Sequence, residues 1–189
     1  MNIFAYLLLQ IINGEKWKPQ FGQSKNYKNW IAKLDYKLCR VCKKLHGKIW
    51  GIHQKPEIEP EVHDRCRCQI KVMVTVKSGT ATTEGLNGAD WTLKHQSNLP
   101  KYYIQYHEAE KLGFKSYLGN LRRVAPNRMI TKGVYKNRNG HLPNENGRVW
   151  YEADINYKGG FRNGQRIIYS NDGQLFATYD HYQTFFEIV

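Results

Sequence analysis

From residue 149 to the C-terminus the chain is cut into short apolar runs by turn residues, and this punctuation limits the fold more than any other feature. Residues 149–156 alternate two faces, Lys158-Gly-Gly-Phe-Arg-Asn-Gly164 is turn-rich, and residues 166–170 form a second run. Asn171-Asp-Gly173 then separates that run from residues 175–179, and residues 182–188 close the series. An Asp-Gly between apolar runs is a hairpin signal, so the pattern predicts an antiparallel meander. Upstream, residues 103–112 read as a helix stopped by Gly113, and residues 118–124 as a shorter helical turn. Helices first and strands later predict an α+β fold, with N-terminal helices packed on an antiparallel four- or five-stranded sheet.

The N-terminal half differs in composition. All four cysteines lie between positions 39 and 68. Residues 1–38 read as helical, because Trp30, Leu34 and Leu38 recur at a four-residue spacing. Residues 39–68 form a Cys/His-rich knot, and residues 69–77 alternate as a strand. Residues 78–88 are rich in Gly and Thr and read as a linker. The expected division is therefore a module over 1–77, a linker over 78–88 and a second domain over 89–189. The apolar stretch 3–12 is too short to span a bilayer, and neither a basic flank nor a cleavage site marks it as a signal peptide. It is expected to be a short buried or partner-facing helix, and its abrupt start suggests a longer parent chain. The expected location is cytoplasmic, or outside the cell by a non-classical or phage-derived route.

The knot contains Cys39-x-x-Cys42 and His63-x-x-Cys66-x-Cys68. Two close-spaced groups separated by a loop suit tetrahedral zinc, with Cys39, Cys42, His63, Cys66 and Cys68 as candidate ligands and His46 and His53 as further ones. Two disulfides or free buried thiols are the alternatives. Formal net charge is +13, which makes a polyanion a natural partner.

On a strand, Trp150, Glu152, Asp154 and Asn156 share one face. Alone they read as a solvated polar face. Arg162 and Arg166 flank the next turn, and His181 reads as the start of the last strand. Arginine binds phosphate through a planar fork of donors, and histidine exchanges a proton near neutrality. A carboxylate, an imidazole and two guanidiniums are the set that cuts RNA: a base for the 2′-hydroxyl, an acid for the leaving oxygen, and cations for the transition state. A structural polar face with ion pairs remains the alternative reading at this point.

Residues 98–189 resemble the barnase-like, guanyl-type microbial ribonucleases. The strings that carry the resemblance are Leu99-Pro100, Glu108-Ala109, Leu112-Gly113, Gly119-Asn120-Leu121, Val124-Ala125-Pro126, Asn137-Arg138, Leu142-Pro143, Gly147-Arg148, Glu152-Ala-Asp-Ile-Asn-Tyr157, Gly160-Phe-Arg-Asn163, Arg166-Ile167 and Asp180-His-Tyr-Gln-Thr-Phe185. The resemblance implies Glu152 as general base, His181 as general acid, Arg162 and Arg166 as phosphate ligands, and Asp154 as their structural anchor. It implies that Tyr182 lines the substrate site and that Asn137 and Arg138 lie in a guanine-binding loop. The implied activity is guanine-preferring cleavage of single-stranded RNA by transesterification through a 2′,3′-cyclic phosphate, without a metal. Two positions depart from the family pattern. Tyr106, with His107 beside it, stands where the family has a lysine, and Asn139 stands where it has a glutamate. The first implies a lower rate unless another base compensates, and the second a relaxed guanine preference.

Residues 30–75 resemble the C-terminal end of phage-Mu-type minor head proteins, through Cys39-x-x-Cys42, Leu45-His-Gly-Lys48 and His63-x-x-Cys66-x-Cys68. Together the two resemblances imply a toxin domain behind a phage-derived module, with phage head or secretion components and a small acidic, barstar-like inhibitor protein as partners besides RNA. No membrane partner is expected. The competing expectation is a phage head interaction protein whose nuclease-like half binds RNA with little or no catalysis.

Overall fold

The computed structural model describes residues 17–61 and 63–189; the apolar stretch 3–12 lies outside them. One nine-stranded sheet runs through the described residues, where four or five strands were expected. In chain order the elements are β1 (Phe21–Ile31), α1 (Arg40–Leu45), β2 (Ile49–Gly51), β3 (Gln69–Val76), α2 (Ala89–Gln96), β4 (Tyr103–Gln105), α3 (Tyr106–Lys111), α4 (Leu121–Val124), β5 (Met129–Tyr135), β6 (Trp150–Asp154), β7 (Arg166–Ser170), β8 (Leu175–Thr178) and β9 (Phe186–Ile188). Across the sheet the order is β2-β1-β3-β9-β8-β7-β6-β5-β4. Strands β5 to β9 form a continuous antiparallel run. The sheet is mixed because β4 pairs parallel to β5 and β3 parallel to β9.

The helix read over residues 1–38 is corrected wherever that stretch is described. Residues 21–31 form β1, paired on one side with β2 and on the other with β3. The four-residue spacing is outweighed by ladder hydrogen bonds on both edges, and Gly22, Asn26 and Asn29 are weak helix formers. Trp30 is fully buried, whereas Leu34 is exposed. A bulge between Gln23 and Lys28 turns the Ser24 hydroxyl onto Glu187 of β9, whose other oxygen accepts from Asn26 Nδ2 at 2.6 Å. Likewise residues 103–105, read as the start of a helix, pair in β4, and the helix begins at Tyr106 behind a Gln105/Glu108 capping box.

Both faces of the sheet centre are covered. Ala153, Ile155, Ile167, Ala177 and Phe186 pack in one cluster with Ala89, the first residue of α2, and Met73, Trp150, Ile168, Phe176 and Phe185 pack in another. Consecutive residues such as Ile167 and Ile168 are therefore both buried. The stretch 78–88, whose composition reads as linker, is itself packed. Ala81 and Thr82 are buried, and the buried Asp90 carboxylate accepts from the Ala81 amide at 2.9 Å and the Thr82 hydroxyl at 2.7 Å. Among the described residues no helix is long and apolar enough to cross a membrane.

Candidate active site

The site begins on β6. Its face Trp150, Glu152, Asp154, Asn156, read as a solvated surface, is buried along its whole length. The covering groups come from the loop between β6 and β7 and the turn between β8 and β9. Asp154, 1% exposed, accepts from Arg162 through both oxygens, Nε to Oδ2 at 2.7 Å and Nη2 to Oδ1 at 2.6 Å. Arg166 Nε lies 3.0 Å from the same Oδ1, an ion pair without an aligned hydrogen bond. Arg166 is fixed further by Nη1, which donates to the Gln165 carbonyl at 2.6 Å and to Asn163 Oδ1 at 3.3 Å. Burial pulls the Arg162 guanidinium down, but the Asp154 hydrogen bonds and charge outweigh it, so the net shift is upward. Both guanidiniums are thus preorganised on Asp154, two residues along the strand from Glu152.

Glu152 pairs across the sheet with Ile168 and is 8% exposed. Its Oε2 accepts from the Tyr182 hydroxyl at 2.5 Å. Burial and then the Glu152 carboxylate hold the Tyr182 phenol well above its usual range, so it stays a donor. Tyr135 stacks on Tyr182 with centroids 5.3 Å apart, and burial together with Glu152 pushes it up to about 12. The carboxylate therefore lies against the Tyr182 phenol and within electrostatic range of Tyr135 and Arg162.

His181 lies in the turn between β8 and β9, not at the start of a strand. It and Tyr182 both adopt left-handed backbone, φ 58° and 67°. For non-glycine residues this costs about 1–3 kcal/mol each and persists only where the surroundings enforce it. The enforcement is visible. Asp180 Oδ1 accepts from the Gln183 and Thr184 amides at 3.1 and 2.8 Å, the Thr178 hydroxyl accepts from the Tyr182 amide at 3.0 Å, and the His181 amide donates to the Gly164 carbonyl at 3.1 Å. Gly164 separates Arg162 from Arg166, so this last bond ties His181 to the arginine loop. A Cβ on Gly164 would stand 3.2 Å from that of His181. His181 is exposed and lines a cleft of about 940 Å³ together with Asn29, Lys71 and Val72 of the N-terminal strands.

The remaining expected residues fall around this centre. Asn137 staples its own loop, donating to the Leu142 carbonyl at 2.9 Å and accepting from the Leu142 amide at 3.1 Å. Asn139 Nδ2 meets His141 Nδ1 at 2.9 Å, and Arg138 is exposed. Tyr106 packs edge-on against Phe114, while the adjacent His107 is exposed. The ring of Tyr106 also lies 5.9 Å from the Arg162 guanidinium and 5.6 Å from Lys132 Nζ. Lys132 escapes sequence reasoning. It is the extra residue of a β-bulge, between Thr131, opposite Ala153, and Gly133, opposite Glu152. Strict alternation along β5 gives no sign of that irregularity. Thr178 and Asp180 are also missed, although an Asp at a turn is a capping signal.

In the knot, Cys39, Cys42 and His63 converge, as do Cys42, Cys66 and Cys68, and their donor atoms could hold a metal ion. The four thiols are not in disulfides.

A sequence profile described as ribonuclease matches residues 63–189. The chain belongs to the ribonuclease family. It is 46% identical over 100 residues to a ribonuclease of Heyndrickxia coagulans, an alignment that spans 53% of this chain and 91% of that relative. Identity is also 46% over 100 residues to ribonucleases of Bacillus intermedius and Bacillus pumilus, of whose lengths the chain spans 61%. The chain is accordingly a barnase-like RNA endonuclease.

Proposed function

We propose that this ribonuclease cleaves single-stranded RNA by transesterification, with Glu152 taking the proton of the 2′-hydroxyl and His181 protonating the 5′ leaving oxygen. The observation that carries this reading is Asp154 gripping Arg162 and Arg166 beside the Tyr182-bonded carboxylate of Glu152. Two guanidiniums fixed on a sheet face, one buried and one partly buried, suit a phosphodiester passing to a dianionic phosphorane. The reaction in this reading uses side chains alone and no metal ion. The test is digestion of a dinucleotide with and without added magnesium. A 2′,3′-cyclic phosphate product at a magnesium-independent rate supports the mechanism; a linear phosphate formed without a cyclic intermediate contradicts it.

Guanine is the preferred base in this reading, bound by the loop that Asn137 staples and stacked near Arg138. Asn139 offers an amide where a carboxylate would take two hydrogen bonds from guanine, so discrimination is reduced. Asn139→Glu is expected to raise the ratio of cleavage after guanosine to cleavage after adenosine, by about tenfold for one added charged hydrogen bond. An unchanged ratio removes Asn139 from base recognition.

Lys132 is the compensating cation for Tyr106. It approaches the same ring as Arg162, from the strand instead of the helix. Lys132→Ala is expected to lower kcat/KM by about tenfold, less than for a buried donor because the side chain is exposed. Tyr106→Lys in that background is expected to restore the rate. Wild-type cleavage by Lys132→Ala would show that the charge is not used.

The biological setting proposed is a toxin, with the Cys/His module acting in delivery and a small acidic inhibitor covering the basic site. The alternative, an RNA-binding head component without catalysis, rests on the lysine replaced at 106. RNA bound but uncut by the wild type would favour it.

A further inference from the structure

We propose that Cys39, Cys42, Cys66 and His63 hold one structural zinc ion, and that this ion braces the two loops that flank the active site. The inference stands apart from the cleavage mechanism. Around tetrahedral zinc, with bonds of about 2.3 Å to sulfur and about 2.0 Å to nitrogen, two thiolates stand about 3.8 Å apart and a thiolate and an imidazole nitrogen about 3.5 Å. Cys42 Sγ lies 3.8 Å from Cys66 Sγ and 3.5 Å from His63 Nε2. Both separations are edges of such a tetrahedron, and both are far beyond a sulfur–sulfur bond.

The imidazole is also set as a ligand is. His63 Nδ1 lies 2.7 Å from the Asp64 carbonyl, which fixes the proton on Nδ1 and leaves the Nε2 lone pair aimed at the thiols. Five donors compete for four positions. Cys42 belongs to both converging groups and is indispensable. Cys68 is taken as the donor left out, since His63 has the second hydrogen bond that orients a ligand.

The fold gives the ion a task. Among the described residues, 52–68 contain no helix or strand, and a long irregular segment needs a cross-link to stay closed. The helix that carries Cys42 is joined to the catalytic body in its last turn and just beyond it. The Lys44 carbonyl meets His141 Nε2 at 3.1 Å, and the Ile49 amide donates to the His141 carbonyl at 2.8 Å. His141 contacts Asn139 in the base-binding loop. A Cβ on Gly47 would stand 2.3 Å from the Gln183 carbonyl, two residues from His181. The metal therefore fixes α1, and α1 supports both loops.

The test uses the full chain, purified reduced, with zinc alone as the ligand. Expected are one zinc per chain by elemental mass spectrometry and, after exchange, the cobalt spectrum of a tetrahedral thiolate site. Cys42→Ser and His63→Ala should lose the metal, while Cys68→Ser and Glu152→Ala retain it. Metal-free wild type, prepared by chelation to avoid dependence on a variant's folding, should exchange amide hydrogens faster over 44–49, 139–142 and 181–184 but not over β6. No zinc bound by the reduced wild type, or disulfides in the zinc-exposed chain, would overturn the site. Loss of metal in Cys68→Ser with retention in His63→Ala would overturn the ligand set. Unchanged exchange over 139–142 and 181–184 after chelation would overturn the bracing.

Discussion

Glu152→Gln is expected to lower kcat for dinucleotide cleavage by about 10²- to 10⁴-fold, the usual range for a positioned proton-transfer group. The substitution keeps the shape of the side chain and its acceptor for the Tyr182 hydroxyl, so the turn holding His181 should survive. It removes the proton acceptor that the proposed mechanism requires for the 2′-hydroxyl. Substrate binding, which the proposed mechanism assigns to the arginines and the 137–142 loop, should change little, so the loss falls on kcat and leaves KM near its wild-type value. Steady-state kinetics with a guanosine dinucleotide measure both. A variant as active as the wild type would assign the base to another group.

The second large effect is on stability. Asp154→Ala leaves one buried and one largely buried guanidinium without their carboxylate, Arg166 and Arg162 being 5% and 13% exposed at the side chain. Removing one partner of a buried ion pair typically costs about 3–5 kcal/mol, because the remaining charge is not compensated. Total stabilities are about 5–15 kcal/mol, so urea unfolding should show a large fall in midpoint. Activity should fall too, even where the variant is folded, since the arginines lose the bidentate grip that aims them. A midpoint equal to that of the wild type would mean the guanidiniums find water or another acceptor. Arg162→Met in the Asp154→Ala background should recover part of the loss, which separates charge burial from packing.

The parts of this protein that local chemistry specifies were legible in the sequence. Residues 166–170 and 69–77 read as strands because alternation and turn residues bound them, and the structure has strands over 166–170 and 69–76. Gly113 was read as a helix stop and takes a left-handed φ of 93° past Leu112. What escaped depends on contacts distant in sequence. β1 is a strand because β2 and β3 pair with it, a fact no spacing within 21–31 encodes. The parallel pairing of β3 with β9 joins residues more than a hundred positions apart, and it extends the sheet beyond the expected strands. The carboxylate face of β6 read as solvated because its cover, the 162–166 loop and the 181–182 turn, comes from elsewhere in the chain. Lys132 was hidden because a bulge changes which side chain faces the site.

The assignment of acid and base is tested most directly by leaving-group chemistry. His181→Ala and Glu152→Ala are compared on a guanosine dinucleotide and on the matching guanosine 3′-(4-nitrophenyl) phosphate, whose leaving group departs without protonation. If His181 is the acid and Glu152 the base, His181→Ala cleaves the dinucleotide poorly but the nitrophenyl ester at near wild-type rate, while Glu152→Ala is slow on both. Equal losses on the two substrates for His181→Ala, or a nitrophenyl rate untouched in Glu152→Ala, would contradict the mechanism.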